Sequence, residues 1–98
     1  MKGHINFVNG YRYVDTKTGL MKEGMSFFAT TIDQVAQNDG QGNFKFGSPS
    51  EEFRLRPPYI ISPEKLIELC NHDVEIVREK PIGERFEYVV SITPLDEL

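Results

Sequence analysis

Residues 5–28 read INFVNGYRYVDTKTGLMKEGMSFF, and this stretch predicts two β-strands joined by a tight turn. Apolar residues in its first half share one parity, as in a half-buried strand; they are Ile5, Phe7, Tyr11 and Tyr13. In the turn, Asp15 can bond its own backbone and Gly19 can adopt the positive φ that such hairpin loops usually need. The stretch therefore predicts a β-hairpin around which the other elements are arranged.

The remaining strands follow from the apolar patterns. The second hairpin strand continues to Ile32 with apolar residues on both parities, and Gly24 indicates a bulge or bend within it. Phe53–Arg56 alternates apolar with basic residues and predicts a third strand. Two more strands are predicted over Asp73–Glu79 and Arg85–Thr93. One side of the final strand consists of Phe86, Tyr88, Val90 and Ile92.

A short helix is predicted over Ser62–Asn71, between the third and fourth of these strands. Ser62 can cap the free amide groups, and Pro63 suits the first helical position. Residues 33–43 contain few apolar side chains and the loop-forming run NDGQGN, so we expect a mobile loop there. A single helical turn over Asp33–Gln37 is compatible with the sequence.

The order of elements predicts an all-β fold. Three strands, a short helix and two strands are the order of a five-stranded Greek-key barrel of the oligonucleotide/oligosaccharide-binding (OB) type. A two-layer α/β sandwich is the main alternative, but the helix is very short for that architecture. The length of 98 residues, without a linker or an internal repeat, indicates a single domain over residues 1–98.

Charge is divided unevenly along the chain. Residues 1–60 carry seven Lys/Arg and six Asp/Glu, or +1, whereas residues 61–98 carry four and nine, or −5, so the acidity of the chain, whose net charge is −4, belongs to the second part. A polyanionic partner would therefore be bound by the first part. No apolar run is long enough to cross a membrane and the start lacks a signal-peptide pattern, so we expect a cytoplasmic protein without membrane association.

The sequence contains no catalytic motif and no set of metal ligands. One cysteine, Cys70, and two histidines, His4 and His72, are too few for a zinc site. Cys70 and His72 are two residues apart, so on a helix they point to different sides, and a buried thiol beside a helix-end histidine is the simpler interpretation. We expect no enzymatic activity and no cofactor.

Five short motifs resemble small single-stranded-DNA-binding proteins of phages and plasmids, of the filamentous-phage gene V protein type. They are GYRYVDTKTG (10–19), KEG (22–24), SPEKL (62–66), VEIVR (74–78) and RFEYVVSI (85–92). The resemblance covers about two-thirds of the chain. It implies an OB-type barrel, a homodimer and a role in phage or plasmid replication. The chain departs from this family in its acidic net charge and its long insertion over Asp33–Ser50.

Binding of single-stranded nucleic acid requires cations along the backbone and aromatic faces on which bases stack. Residues 1–60 alternate both types, and the candidate nucleic-acid-binding residues are Arg12, Lys17, Lys22, Phe44, Lys45, Phe46, Arg54 and Arg56. Tyr11 and Tyr13 have the opposite parity to Arg12, so we expect their rings in the core. Arg54 and Arg56 can equally pair with nearby carboxylates.

These observations favour a single-stranded-DNA-binding protein without sequence specificity, with RNA as another ligand that the sequence allows. A protein-interaction module on the same barrel is the alternative; it would use the Asp33–Pro49 loop and the acidic C-terminal part and would have no affinity for nucleic acid. A third hypothesis is that the chain is a structural domain without an activity of its own.

Overall fold

The computed structural model describes residues 1–56, 59 and 61–98, and in these residues it contains seven strands and one α-helix. In chain order they are β1 (Lys2–Val14), β2 (Met21–Thr31), β3 (Val35–Asn38), β4 (Phe44–Gly47), β5 (Ser50–Leu55), α1 (Pro63–Leu69), β6 (Asp73–Glu79) and β7 (Tyr88–Pro94). A 3₁₀ turn over Leu95–Glu97 follows β7. The fold is therefore mostly β, as the sequence predicts.

Five strands form one antiparallel sheet in the order β5-β2-β1-β6-β7, and β3 and β4 form a separate two-stranded hairpin. The first predicted hairpin is confirmed as β1 and β2, whose turn has Gly19 at φ 71°. The edge strands β5 and β7 lie against each other. Within the described residues no backbone pairing joins these two strands, so a closed barrel stays a prediction.

Helix α1 begins and ends as its sequence indicates. The Ser62 side chain accepts a hydrogen bond from the backbone N–H of Lys65 at 3.1 Å, and Pro63 occupies the first turn. Leu66 and Leu69 are buried, so the helix closes one side of the core. At its end, the N–H of Cys70 donates to the carbonyl oxygen of Ile67.

The core is formed by the inner face of the curved sheet and by α1. Its buried side chains are Ile5, Phe27, Ala29, Phe53, Leu55, Leu66, Leu69, Val74, Ile76 and Val89. The rings of Phe27 and Phe53, on paired positions of β2 and β5, stack with centroids 5.0 Å apart and planes at 11°. This stack joins the middle of the sheet to its β5 edge.

A β-bulge in β1 changes which residues face the core. Ile5 pairs with Ala29 and Phe7 pairs with Phe28, so Asn6 is an extra residue without a partner in β2. Because side chains alternate along a strand, one extra residue exchanges the two faces. The prediction that Ile5, Phe7, Tyr11 and Tyr13 share one face is therefore wrong: Ile5 is buried, whereas the three aromatic residues are exposed.

The predicted bulge at Gly24 is also wrong, since Gly24 pairs in register with Tyr11. A second irregularity lies in β7, where Val77 pairs with Ser91 and Arg78 with Val89, leaving Val90 without a partner. Val89 is consequently the buried residue. The predicted common side of Phe86, Tyr88, Val90 and Ile92 is wrong, and Phe86 precedes β7 and is exposed.

Residues 33–47 are more regular than their composition indicates. The helical turn with which the sequence of Asp33–Gln37 is compatible does not form, because Val35–Asn38 pairs with Phe44–Gly47 as a hairpin. β-branched Val35 favours the extended backbone, and Gly47 opposite it has φ 113°. The run NDGQGN forms the tip of this hairpin.

Arg78 joins three parts of the sheet. Its guanidinium lies 4.7 Å from the centre of the Phe53 ring, which extends the stack of Phe27 and Phe53. The same group contacts Glu51 of β5 at 2.7 Å and Glu87, just before β7, at 3.6 Å. Arg78 therefore connects β6 to the sheet edge at which β5 and β7 meet.

Replacing Arg78 by Ala should lower the free energy of unfolding by about 1–2 kcal/mol, because a cation–π contact and two partly exposed ion pairs are lost together. The free energy of unfolding of Arg78→Lys should lie between those of wild type and Arg78→Ala, since an ammonium keeps the charge but cannot stack as a guanidinium plane does. Arg85→Ala is the control, with an expected change within about 0.5 kcal/mol. Urea unfolding followed by circular dichroism measures all three, and equal stabilities of Arg78→Ala and Arg85→Ala would contradict the assignment.

Candidate nucleic-acid interface

The outer face of the sheet is the side of β1, β2 and β5 that points away from the core. The paired strands arrange its side chains in rows that cross the sheet. From the core end to the hairpin turn, the rows are Phe7–Phe28–Glu52, Asn9–Ser26–Arg54, Tyr11–Gly24 and Tyr13–Lys22. Aromatic and cationic side chains thus share this face, with aromatic residues in three of the four rows.

Four of these residues form an aromatic stripe along β1 and β2: Phe7, Tyr11, Tyr13 and Phe28. The ring centroids of Phe7 and Phe28 are 5.8 Å apart, and those of Tyr11 and Tyr13 are 6.1 Å apart. Phe7 is 52% exposed, Tyr11 38% and Tyr13 46%. The stripe therefore offers ring surface to solvent on a sheet whose backbone fixes the spacing.

Gly24 provides the space for the Tyr11 ring. A Cβ atom at position 24 would overlap the Cε2 and Cζ atoms of Tyr11. The ring therefore lies close to the backbone of β2, and it lines the groove between the β1–β2 hairpin and α1. This close approach, rather than a bulge, explains a glycine in the middle of the strand.

Three predicted cationic residues are held in ion pairs. Arg12 pairs with Glu23, directly opposite on β2, at 3.1 Å, and Arg54 pairs with Glu52 on the same strand at 3.1 Å. Lys22 pairs with Asp15 of the hairpin turn at 2.7 Å.

The pairing of Lys22 with Asp15 alters both acidities. The hydrogen bond from the Lys22 side chain, helped by the backbone N–H of Lys17, holds the pKa of Asp15 below its ordinary value. The same hydrogen bond raises the pKa of Lys22. Both groups are therefore charged at neutral pH and neutralise each other at the end of the aromatic stripe.

Within residues 1–56, 59 and 61–98, the other three predicted cations, Lys17, Lys45 and Arg56, form no ion pair. Lys17 lies in the β1–β2 turn, and Lys45 pairs with Gln37 on the β3–β4 hairpin. Arg56 follows β5 and lines, together with Arg12, a groove of about 940 Å³ between the β1–β2 hairpin and α1. The predicted residues thus occupy the outer face, this groove and the β3–β4 hairpin rather than one site.

Phe44 and Phe46 lie on one side of the β3–β4 hairpin, 76% and 79% exposed. Lys45 lies on the opposite side, so the three do not form one contact surface. Asp39 fixes the hairpin tip: its carboxylate accepts hydrogen bonds from the N–H of Gln41 at 2.7 Å and from the side-chain amide of Asn43 at 2.6 Å. The two exposed rings therefore project from a defined turn.

The sequence interpretation missed the aromatic stripe, because it assigned Tyr11 and Tyr13 to the core. A signal was present in the adjacent apolar pairs Phe7–Val8 and Phe27–Phe28. Neighbouring residues of a strand point to opposite faces, so each pair must put one apolar side chain outside. The sequence shows this surplus but does not show which member is outside.

Among the described residues, no group of three or more His, Cys, Asp or Glu side chains is arranged to hold a metal ion. His72 Nδ1 lies 3.0 Å from the carbonyl oxygen of Cys70, so the imidazole contacts the backbone at the end of α1. No helix in this described part of the chain has both the length and the apolar character needed to span a bilayer.

Gly24→Ala should displace the Tyr11 ring and lower the free energy of unfolding by about 1–3 kcal/mol through overpacking. Gly10→Ala is the matched control, because a Cβ at position 10 meets no atom within 4 Å. NMR shifts of the Tyr11 ring and urea unfolding report the two effects. An unshifted Tyr11 ring in Gly24→Ala would refute the close approach.

Acid should loosen the tip of the β3–β4 hairpin. The side-chain hydrogen bond from Asn43, with the backbone N–H of Gln41, lowers the pKa of Asp39. Because the pKa of Asp39 is lower in the folded state, its ionised carboxylate stabilises the tip fully at pH values above the unfolded-state pKa of about 3.9. This stabilisation is lost as the pH falls through the folded-state pKa. An NMR titration of the Asn43 side-chain amide should show this transition, and Asp39→Asn should abolish it. Asn43 resonances that stay constant down to about pH 2 would contradict the assignment.

Comparison with known proteins gives the chain no relative: it matches no protein-family model, no curated protein and no solved structure.

Proposed function

We propose that this protein binds single-stranded nucleic acid, DNA in the first instance, without sequence specificity. The aromatic stripe carries the proposal, since its four rings form two pairs on one face of the sheet and three of them, Phe7, Tyr11 and Tyr13, are exposed. Bases stack on such rings regardless of their identity, because every base has a π face. A duplex keeps its bases stacked on one another, so a surface of this kind favours a single strand.

The strand order supports an OB-type arrangement. Counted within the five-stranded sheet, β1, β2, β5 and β6 are the first four strands, and they lie in the spatial order 4-1-2-3 of a Greek key. Helix α1 falls between the third and fourth of them. OB folds bind oligonucleotides on the face of their second and third strands, which here are β2 and β5. That face adjoins the aromatic stripe.

Cations near the stripe would contact the phosphates. Arg54 lies one row from Phe28, Lys22 pairs with Tyr13, and Lys17 lies in the turn beyond them. From its resemblance to phage and plasmid proteins, we assign the chain to DNA replication as a cytoplasmic homodimer, without catalytic activity or cofactor. The replication role and the homodimer rest on the resemblance, whereas the cytoplasmic location and the lack of catalytic activity and cofactor rest on the absence of the corresponding sequence patterns.

A second candidate function is protein binding through the β3–β4 hairpin. The observation in its favour is the exposure of Phe44 and Phe46, which project from the hairpin without covering any buried residue. A two-stranded hairpin is marginally stable by itself, so a partner would stabilise it. In this case the aromatic stripe would have no part in binding.

Fluorescence anisotropy of a labelled oligothymidine of about 30 nucleotides tests the proposal. We expect saturable binding that weakens with salt. Tyr11→Ala and Phe7→Ala should each weaken it about 5- to 150-fold, since one stacked base contributes about 1–3 kcal/mol.

Leu98→Ala, which removes an exposed apolar side chain that follows the 3₁₀ turn after β7, is the control and should leave the affinity unchanged. The double variant Phe44→Ala/Phe46→Ala tests whether the nucleic acid binds the β3–β4 hairpin instead of the stripe, and it should leave the affinity unchanged. If it weakens binding strongly while Tyr11→Ala has no effect, the stripe is not the site. A flat titration at low salt would overturn nucleic-acid binding altogether.

A further inference from the structure

The two cations in the rows of the outer face already have carboxylate partners. Arg54 Nε lies 3.1 Å from Glu52 Oε1, and Glu52 lies in the same row as Phe28 and Phe7. At the other end of the face, Lys22 Nζ lies 2.7 Å from Asp15 Oδ2, beside Tyr13. One carboxylate thus flanks each end of the aromatic stripe.

These carboxylates reduce the attraction of the face for phosphate. Much of the affinity of most nucleic-acid-binding proteins comes from cations that neutralise phosphates and release condensed counterions. Here a phosphate must displace Glu52 or Asp15 from its cation, and the displaced carboxylate then lies close to the phosphate. The exchange of one anion for another gains little, so charge alone does not hold a polyanion on this face.

The two ion pairs, Arg54–Glu52 and Lys22–Asp15, are nevertheless easily broken when a ligand makes another interaction that compensates for their loss. Exposed ion pairs contribute about 0–1 kcal/mol, whereas each base stacked on an aromatic ring contributes about 1–3 kcal/mol. A ligand with free bases therefore gains enough to move the carboxylates, and a ligand that offers only phosphate or sulfate groups does not.

We infer that Glu52 and Asp15 are specificity-determining residues: they act as internal counterions that make the face select unpaired bases and reject polyanions without them. The inference rests on the proposed function, because it concerns the same face. It also accounts for an acidic chain bearing a nucleic-acid site, since the site depends on stacking more than on net charge.

The test compares the wild-type chain with Glu52→Gln and Asp15→Asn, which remove a charge but keep an oxygen acceptor. In Asp15→Asn that oxygen can still accept the N–H of Lys17, so the turn is preserved. Glu68→Gln is the matched control, because Glu68 pairs with Lys65 on α1, away from the face. Circular dichroism verifies that each variant is folded.

Each protein is titrated with labelled oligothymidine and with a labelled duplex of equal length, at several salt concentrations, and heparin is used as competitor. Wild type should bind the oligothymidine with a shallow salt dependence and bind the duplex and heparin weakly. Each charge-removing variant should steepen the slope of log K against log salt by about 0.7 for the oligothymidine. Affinity for duplex and heparin should rise several-fold more than affinity for oligothymidine, while Glu68→Gln behaves as wild type.

Two results would overturn the inference while leaving the proposed function intact. One is oligothymidine binding by wild type with unchanged slopes and unchanged duplex affinity in both variants. The other is an equal gain for oligothymidine, duplex and heparin, which would show that the carboxylates repel anions without selecting between them. Failure of the wild-type chain to bind oligothymidine at low salt would overturn the proposed function and the inference together.

Discussion

The extra residue in β1 is the constraint on which both faces of the sheet depend. Asn6 has no partner in β2, and its side-chain amide donates to Thr30 Oγ1 at 3.0 Å. Because of this residue, Ile5 points into the core and Phe7 points away from it. In a regular strand with the register of its first residues, Phe7, Tyr11 and Tyr13 would face inward and Val8 would face solvent. Core packing and the aromatic stripe are therefore consequences of one bulge.

The same strand pair connects the inside of the molecule to the outside. Phe27 and Phe28 are neighbours on β2, and one stacks on Phe53 in the core while the other contacts Phe7 on the outer face. The core stack ends at the guanidinium of Arg78, which also binds the carboxylate of Glu51. The backbone that presents the stripe is thus held from beneath by close-packed rings, and this limits how far the outer rings can move.

Local signals in the sequence predict the elements well and their faces poorly. The turn at Gly19, the cap at Ser62 and the strand over Asp73–Glu79 each depend on a few adjacent residues, so they could be read directly. Bulges at Asn6 and Val90 depend on how two strands pair, which no single stretch encodes. Each bulge reverses the parity beyond it, and the aromatic stripe was misassigned to the core for this reason. The ion pairs of Arg54 and Lys22 likewise require the register before their carboxylate partners are known.

Net charge is a weak guide to what this chain binds, because charge acts over short distances in salt. At physiological ionic strength the screening length is about 8 Å, so an anionic ligand on the outer face responds mainly to the groups within a row or two. Within the rows of the face those groups are Lys22 with Asp15 and Arg54 with Glu52, and each of these two pairs is neutral. The excess of acidic residues lies in positions 61–98, which provide α1, β6 and β7 rather than the strands of this face. With the charge in its rows balanced, ring surface is what this face offers to a ligand, and stacking is the interaction it is suited to make.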